Sequence, residues 1–453
     1  MYNTYLKGKN NMSLYEVKKT AGDSAWFMHD RFGMFIHFGL YSMPARHEWV
    51  KTREFMTNED YEVYFKHFNP DLFDAREWAR RAKAAGMKYA VLTAKHHEGF
   101  CLFDSEYTDY KITNTQFGRD LIKEYVEAFR AEGLRVGLYY SLLDWHHPHY
   151  TIDTRHPLRN HEEAAELNKT RDFKIYTEYM RNQIRELLTN YGKIDVMWFD
   201  FSWRIASAED STDPLLRGKD EEDWESERLL ELIRSLQPDI LINNRLSSRR
   251  NLGDLRTPEQ DQPHGWVRDP QTKERAVWEA CQTFSGAWGY HRDEHSWKTP
   301  RQVLEMLIRT VSFGGNLLMN VGPTARGIFD ERATERLEAI GKWMRFHSRS
   351  IYGCTQPEEC FKAPDGCILT ESDDGKRLYV HLLSYPLTYL SLDDLADRIE
   401  YAQLMHDGSE LAFRKNYKQT GAFTAKTVEG AVTITLPMPP PDDEIPVVEI
   451  FLK

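Results

Sequence analysis

The chain is predicted to fold as an α/β protein, an irregular (β/α)8-like barrel of the TIM type followed by a C-terminal β-sandwich domain. At 453 residues the chain is too long for one small core, and its length suits a barrel with a second, smaller domain. Between about residues 30 and 345, short apolar segments alternate with amphipathic helical patterns, which is typical of parallel βαβ units. After residue 352 the helical patterns stop and short strands follow one another, as in a sandwich. We therefore expect domains at 1–352 and 353–453.

The barrel strands are predicted from apolar segments that each end in polar residues. Six such segments are convincing, so the barrel is expected to be irregular: 33–38, 89–94, 136–141, 196–201, 240–243 and 315–321. Helical patterns lie between them at 75–85, 121–132, 172–190, 224–235 and 300–313. Gly86 and Gly133 follow two of these helices and fit C-caps that return the chain to the sheet. Polar groups at so many strand ends favour a closed barrel, which gathers its loops at one mouth.

The C-terminal strands are predicted from alternating apolar and polar residues. They lie at 367–371, 377–383, 401–404, 432–436 and 447–452.

Composition excludes several partners. The formal charge is -11, from 59 basic and 70 acidic residues, and no dense basic stripe indicates nucleic acid. We find neither a signal peptide nor an apolar run of about 18 residues, so neither membrane association nor secretion is predicted. Five scattered cysteines without a C-x-x-C pair indicate reduced thiols, and we expect a cytoplasmic location. Met12 is an alternative start, so the first eleven residues carry little weight. The sequence leaves homo-oligomer formation open.

The most informative segment is the apolar strand that ends at Asp200. Burying an ionised carboxylate costs several kcal/mol unless a partner compensates it. The carboxyl ends of parallel barrel strands open onto the active site, so Asp200 is a candidate catalytic group. The structural alternative is an aspartate that caps the following loop.

Three histidines also follow predicted strands, at His37, His96 and His97. Three imidazoles could hold zinc, which leaves a metal-dependent hydrolase as one hypothesis. Against it, adjacent residues on a strand point to opposite faces, and neither an H-E-x-x-H nor an H-x-H spacing occurs in that segment. Neutral imidazoles are equally suited to bonding sugar hydroxyls, and the 13% aromatic content favours carbohydrate.

Glycoside hydrolysis with retention requires two carboxyl groups on opposite sides of the scissile bond. Asp200 suits the nucleophile, because Arg245 at the next strand end can keep it ionised. Glu259, in a Pro-containing loop, and Glu279, after Trp278, are candidates for the acid/base. The structural alternative for Glu259 is a plain turn residue, and that for Glu279 is a buried carboxylate at the pocket floor.

Several short motifs follow one another along the chain: WFMHDRFGMFIHFG (26–39), KHHEGF (95–100), GLYYS (137–141), WFD (198–200), TPE (257–259), WE (278–279), WGY (288–290) and GGNLLMNVGP (314–323). Together they resemble those of the α-L-fucosidases of glycoside hydrolase family 29, nearly from end to end. Phe38 stands where the family more usually has Trp, and Val50 where it usually has Tyr.

The resemblance implies a retaining exo-α-L-fucosidase that acts on fucosylated oligosaccharides or glycosides through a fucosyl-aspartate. It implies Asp200 as nucleophile, with Glu259 chosen as acid/base and Glu279 as second choice, and neither a metal nor another cofactor. A catalytically silent fucose-binding protein of the same fold is the alternative function. Linkage preference, aryl-fucoside or α-1,3/1,4 type, depends on variable loops such as 205–223 and 265–273 and stays open. The implied fucose-binding residues are His37, Glu48, Trp49, His96, His97, Tyr139, Tyr140, Trp198, Arg245 and Trp288.

Overall fold

A parallel barrel sheet forms the N-terminal part of the molecule. The computed structural model describes residues 16–205, 212–421 and 423–453. Eight strands are arranged in the order β5-β4-β3-β2-β1-β8-β7-β6. A parallel bridge between Asn243 and Leu255 joins the two edges, so the sheet nearly closes on itself. The strands are β1 (Phe32–Ile36), β2 (Tyr89–Lys95), β3 (Arg135–Ser141), β4 (Val196–Asp200), β5 (Leu241–Ile242), β6 (Leu255–Arg256), β7 (Val277–Thr283) and β8 (Asn316–Val321).

The predicted fold class is confirmed, and the six predicted segments correspond to six of the eight barrel strands. The two strands that were not counted are β6 and β7. β6 has only two residues, which is too short to show a period. β7 is fully buried, yet no helix separates β5, β6 and β7 in the described part of the chain, so the strand-helix alternation gave no signal there.

The helices pack around the outside of the sheet and begin at well-formed caps. Asp74, Asp120 and Asp172 each accept backbone N–H bonds at the first turn of the following helix. One predicted helix, at 224–235, is two helices, because Glu225 has a φ of 51° and interrupts it. The helices are α1 (Ala25–Asp30), α2 (Val50–Arg53), α3 (Asn58–His67), α4 (Ala75–Ala84), α5 (Leu121–Ala131), α6 (Ala164–Lys169), α7 (Phe173–Thr189), α8 (Glu221–Trp224), α9 (Ser226–Leu236), α10 (Pro300–Ser312) and α11 (Glu331–His347).

Alternation along the strands decides which side chains face the barrel interior. Phe35, Tyr139 and Trp198 belong to a buried cluster inside the barrel. Tyr140 and Phe199 instead join the large cluster between the sheet and the helices. Because Asp200 lies two residues after Trp198, its side chain faces the same way, at the open end of the barrel.

Antiparallel strands form the C-terminal part. Five of them make a sheet in the order β13-β16-β11-β10-β9, and three make a second sheet in the order β12-β15-β14. Apolar side chains such as Leu378, Val432 and Ile450 fill the core between them. The indole N–H of Trp343 on α11 donates to the carbonyl of Ile445 at 2.8 Å and ties the barrel to this part. The strands are β9 (Cys354–Thr355), β10 (Cys367–Ser372), β11 (Arg377–Leu382), β12 (Tyr389–Leu392), β13 (Ile399–Leu404), β14 (Phe413–Gln419), β15 (Ala425–Thr435) and β16 (Val447–Leu452).

Two further sequence expectations concern the environment of the protein. All five cysteines are free thiols. None of the helices in the described ranges combines the length and apolar character that a bilayer span requires. The cytoplasmic location stays a prediction, as does the domain boundary at residue 352.

Candidate active site

A cavity of about 610 Å³ opens at the carboxyl ends of the barrel strands. A volume of this size suits a small ligand such as a sugar ring. It brings together most of the predicted site residues: His37, Trp49, His96, His97, Tyr139, Trp198, Asp200, Arg245, Glu259 and Trp288.

Asp200 lies at the centre of this cavity and is held from three directions. Its Oδ1 accepts from Nη1 of Arg245 at 2.9 Å, and its Oδ2 accepts from the hydroxyl of Tyr139 at 2.9 Å. Nε2 of His97 lies 3.9 Å from Oδ2. Burial raises the pKa of Asp200 to about 6, although Arg245 opposes that rise. The carboxylate is therefore positioned firmly and is largely ionised near neutral pH.

Glu259 faces Asp200 across the guanidinium of Arg245. Its Oε2 lies 2.6 Å from Nη1 of Arg245, the same nitrogen that donates to Asp200. The charge of Glu259 also contributes to the raised pKa of Asp200. The Glu259 side chain is 39% exposed on its loop, whereas that of Asp200 is 13% exposed. One carboxylate is thus fixed on a strand and the other lies on a solvent-accessible loop.

Hydrogen bonds fix the ring nitrogens of His37 and His97. Asn320 donates its amide N–H to the carbonyl of Trp288 at 2.7 Å, so its Oδ1 accepts from Nδ1 of His37 at 2.6 Å. Ser141 donates to a backbone carbonyl, so its Oγ accepts from Nδ1 of His97 at 2.6 Å. Burial lowers the pKa of both histidines well below the usual value. Each neutral ring therefore keeps a lone pair on Nε2, which can accept a hydroxyl proton.

His96 has a different partner. Its Nδ1 lies 3.2 Å from Oε2 of the buried Glu98. Burial raises the pKa of Glu98 to about 8 and lowers the pKa of His96 to about 3, so a neutral carboxyl group faces a neutral imidazole at pH 7. The rings of His96 and His97 lie 4.0 Å apart, and His96 stacks against Tyr139. The strand has already ended at Lys95, which is why the two adjacent histidines both reach the cavity.

Three predicted residues are placed away from the cavity. Tyr140 faces the helices, and its hydroxyl donates to Gln183 at 2.8 Å, so the alternation selects Tyr139 from that pair. Glu279 is buried beneath Trp198, accepting the indole N–H of Trp198 at 3.3 Å and the hydroxyl of Tyr89. Burial raises the pKa of Glu279 to about 7. Glu279 therefore occupies the floor position that the structural alternative described.

Glu48 is the third: it lies outside this cavity, although it lines the neighbouring one beside Trp49 and Trp288. Its Oε2 accepts the backbone N–H groups of Trp288 and Gly289 at 3.1 and 3.0 Å. It is 2% exposed, and burial raises its pKa to about 7. In this structure it holds Trp288 against His37, with ring centroids 5.1 Å apart.

Three aromatic residues of the cavity, Phe35, Phe201 and Trp203, were not predicted as site residues. Phe35 lies two residues before His37 on the same strand face and packs against Trp198 with ring centroids 5.1 Å apart. Phe201 follows Asp200 with a φ of 76°, and its ring stands edge-on to His97. The period-two alternation could have identified Phe35, whereas the left-handed turn that redirects Phe201 has no signal in the sequence.

A second cavity of about 960 Å³ adjoins the first and shares Trp49, Phe201 and Trp288 with it. Gln260, the neighbour of Glu259, lines this second cavity. Glu259 therefore lies where the two cavities meet. Four basic residues also line the second cavity: Arg53, Arg155, Arg159 and Lys298.

Comparison with known proteins identifies the family. A model of the α-L-fucosidase family matches residues 6–349. The chain belongs to the α-L-fucosidase family. An α-L-fucosidase of Dictyostelium discoideum is 27% identical over 94% of this chain and 91% of its own length. The human tissue α-L-fucosidase is 30% identical over 80% of this chain and 76% of its own length.

Solved structures of α-L-fucosidases share the whole fold. Isoenzyme 1 from Paenibacillus thiaminolyticus is 44% identical, with a TM-score of 0.84, over 95% of this chain and 98% of the other. A family 29 α-L-fucosidase from Bacteroides thetaiotaomicron, solved as a trapped covalent intermediate with 2-fluoro-fucosyl fluoride, is 27% identical with a TM-score of 0.80. That match covers 99% of this chain and 100% of the other. The predicted family and the barrel-plus-sandwich fold are both confirmed.

Proposed function

We propose that this protein is a retaining exo-α-L-fucosidase in which Asp200 is the nucleophile and Glu259 the acid/base. The single observation that carries the proposal is the shared contact of both carboxylates with Nη1 of Arg245, at 2.9 and 2.6 Å. These two distances limit the separation of the two oxygens to about 5.5 Å, because they approach the same atom. Retaining glycosidases hold their carboxyl groups about 5 to 5.5 Å apart, and inverting enzymes about 6.5 to 9.5 Å.

In the first step, an oxygen of Asp200 attacks the anomeric carbon while the bond from that carbon to the leaving oxygen breaks. Glu259 transfers its carboxyl proton to the leaving oxygen at the same time. The exposure of Glu259 allows its side chain to turn from Arg245 towards the second cavity, where the leaving group would lie. Arg245 and Tyr139 keep Asp200 positioned and ionised for the attack.

In the second step, the Glu259 carboxylate accepts a proton from water, and the water oxygen attacks the anomeric carbon. The bond to Asp200 breaks, and two inversions give a product with the original anomeric configuration. The covalent intermediate trapped in the Bacteroides thetaiotaomicron relative supports this route.

The fucose ring is expected to lie over Trp198, between the imidazoles and Phe35. The lone pairs on Nε2 of His37 and His97 accept sugar hydroxyls, and a hydroxyl-reading site strongly disfavours analogues that lack the group. Phe35, Trp198 and Trp288 form the apolar wall against which the C5 methyl of fucose packs. That contact contributes about 1 to 3 kcal/mol to discrimination.

Three measurements test the proposal. Proton NMR during hydrolysis of an aryl α-L-fucoside should show the α-anomer of fucose first, before mutarotation. Asp200→Ala should lower kcat at least about a thousandfold. Glu259→Ala should retain the first step on an aryl fucoside with a good leaving group, and azide should restore its turnover as an α-fucosyl azide.

A matched control is Glu274→Ala, which removes an exposed loop glutamate. This variant should keep wild-type kinetics and should not respond to azide. A β-anomer as first product would contradict double displacement. Rescue of Glu279→Ala rather than Glu259→Ala would transfer the acid/base role to Glu279. Fucose binding without any turnover would indicate the silent binding protein instead.

A further inference from the structure

A second cluster of reactive side chains lies far from the sugar cavity, between the barrel and the C-terminal strands. His347 is the last residue of α11, His406 follows β13, and Asp443 lies in the segment that leads to β16. One nitrogen of each histidine and one oxygen of Asp443 all lie within 4.8 Å of one another. The separations are 2.7 Å from Nδ1 of His406 to Oδ2 of Asp443 and 3.5 Å from Nε2 of His347 to that same oxygen.

The tautomer of His347 leaves a lone pair in this cluster. Nδ1 of His347 lies 3.0 Å from the carbonyl of Trp343, which can only accept, so Nδ1 carries the ring proton. The ring also stacks on Trp343 with centroids 4.8 Å apart, which fixes its plane. Nε2 of the neutral ring therefore points its lone pair at the carboxylate of Asp443.

That arrangement is unfavourable unless a cation lies between the two groups. His347 is 0% exposed, and its Nε2 has no hydrogen-bond partner within the described ranges. Nδ1 of His406 and Oδ2 of Asp443 are likewise buried without a hydrogen bond. A buried polar group without a partner requires an explanation, and a bound ion is one.

We propose that His347, His406 and Asp443 bind one zinc ion at the junction of the two domains. Two imidazoles and a carboxylate are ligands that zinc favours, and water completes a tetrahedral shell. The carbonyl of Trp343 supports the site as the acceptor for the other ring nitrogen of His347, a common outer partner of zinc-bound histidines. Zinc ligands lie about 2.0 to 2.2 Å from the metal, so the present separations of 2.7 and 3.5 Å have to adjust, and His406, whose side chain is 34% exposed, is the ligand with room to move.

The ion would connect the barrel to the β-domain. Its ligands come from one barrel helix and two C-terminal segments, beside the bond from Trp343 to Ile445. Zinc binding would therefore stabilise the docking of the two parts and would not change the sugar cavity. The proposal is independent of the fucosidase mechanism, which needs no metal.

The test uses the full-length protein without an affinity tag. After treatment with a chelator and dialysis, the protein is titrated with zinc by calorimetry, and its melting temperature is measured with and without zinc. One zinc per chain should bind, and the melting temperature should rise by at least about 2 °C at saturating zinc. His406→Ala removes a half-exposed ligand with little risk to folding and should weaken zinc binding at least about tenfold. Asp443→Asn should have a similar effect.

His67→Ala, which removes an exposed histidine at the end of α3, is the matched control and should bind zinc like the wild type. Turnover of an aryl fucoside should be the same for the zinc-free and zinc-loaded wild type, which separates this test from that of the catalytic pair. The proposal is wrong if zinc neither binds stoichiometrically nor raises the melting temperature. Equal zinc affinity of His406→Ala and the wild type would also overturn it.

Discussion

Asp200 and Glu259 approach the same guanidinium nitrogen of Arg245, so their nearest oxygens are at most about 5.5 Å apart, given contacts of 2.9 and 2.6 Å. This arrangement has an energetic consequence. Two carboxylates at such a distance repel each other, and the single cation between them compensates only part of the repulsion and of the desolvation. The pair is therefore arranged for chemistry at a cost to the stability of the folded chain.

The first prediction measures that cost at Asp200. The pKa of Asp200 is raised in the fold to about 6 from an ordinary value of 3.8. The folded state thus binds the proton more tightly than the unfolded state, and stability falls as pH rises from about 4 through 6. Asp200→Asn removes this titration and should stabilise the fold at pH 7 by roughly 2 kcal/mol while abolishing turnover. Denaturant unfolding at pH 7 and pH 4 measures the effect.

The advantage of Asp200→Asn should largely disappear at pH 4, because the wild-type carboxyl is then protonated. Equal unfolding free energies of the two proteins at pH 7 would contradict the raised pKa. Asp195→Asn is the control. The Asp195 carboxylate accepts the backbone N–H of Val136, so this substitution should destabilise the fold.

The second prediction concerns Asn320, which positions His37 rather than contacting the reacting bond. Asn320→Ala removes the oxygen that accepts from Nδ1 of His37, so the ring proton of His37 is no longer held on Nδ1 and can move to Nε2. We expect fucose binding to weaken by roughly 10- to 100-fold, which corresponds to about 1 to 3 kcal/mol for one lost buried partner. Calorimetry with fucose measures this, and KM should change more than kcat. Asn182→Ala on the outer face of α7 should leave binding unchanged, and an unchanged dissociation constant in Asn320→Ala would refute the role.

The sequence predicted the chemistry of the cavity better than its geometry. Polar residues at strand ends, such as His37, Asp200 and Arg245, were identified because a core would not select them. The alternation along β3 could also have shown that Tyr139 and Tyr140 face opposite sides of the sheet, because the strand is continuous over both residues. By contrast, nothing in the sequence indicated that Oε2 of Glu48 accepts two backbone N–H groups, and its expected contact with the sugar stays a prediction. Which way a loop carboxylate turns depends on tertiary contacts that no local pattern encodes.

The same limit explains what was missed in the fold. The long buried strands β1 to β4 were predicted to within one or two residues, because their apolar runs are bounded by polar loops. β6 was missed because a strand of two residues is too short to show an alternating pattern. β14 was missed because its side chains are exposed or half-exposed, so it has no apolar run. The loop at 205–223, expected to influence linkage preference, lies partly outside the described residues, at 206–211.

The third prediction separates Glu279 from the acid/base role. Glu279 accepts hydrogen bonds from Trp198 and Tyr89 beneath the cavity and is 1% exposed. Glu279→Gln keeps the shape and one acceptor, so kcat on an aryl fucoside should fall less than about tenfold, with no response to azide. Glu279→Ala leaves a cavity and two unpaired donors, and its melting temperature should fall clearly. Azide rescue in either variant would contradict this placement.

The fourth prediction concerns the leaving group. The second cavity is lined by Arg53, Arg155, Arg159 and Lys298, whereas the whole chain carries a net charge of -11. Burial lowers the pKa of Arg159, and the neighbouring Arg155 lowers it further, which indicates positive charge that is not fully compensated. We expect an aryl fucoside with a carboxylate on the ring to be preferred over its neutral analogue. Arg155→Gln should reduce that preference in kcat/KM about two- to fivefold, the range of an exposed ion pair.

The difference should shrink when about 1 M salt screens the charge, while turnover of the neutral substrate stays constant. Lys193→Gln, which removes an exposed cation just before β4, at the end of the barrel opposite the cavity, controls for net charge. If Arg155→Gln lowered kcat/KM equally for the charged and the neutral substrate, Arg155 would contribute to the shape of the cavity and not to its charge preference. A selective, salt-sensitive loss would instead place the leaving group in the second cavity, on the side of Glu259 away from Asp200.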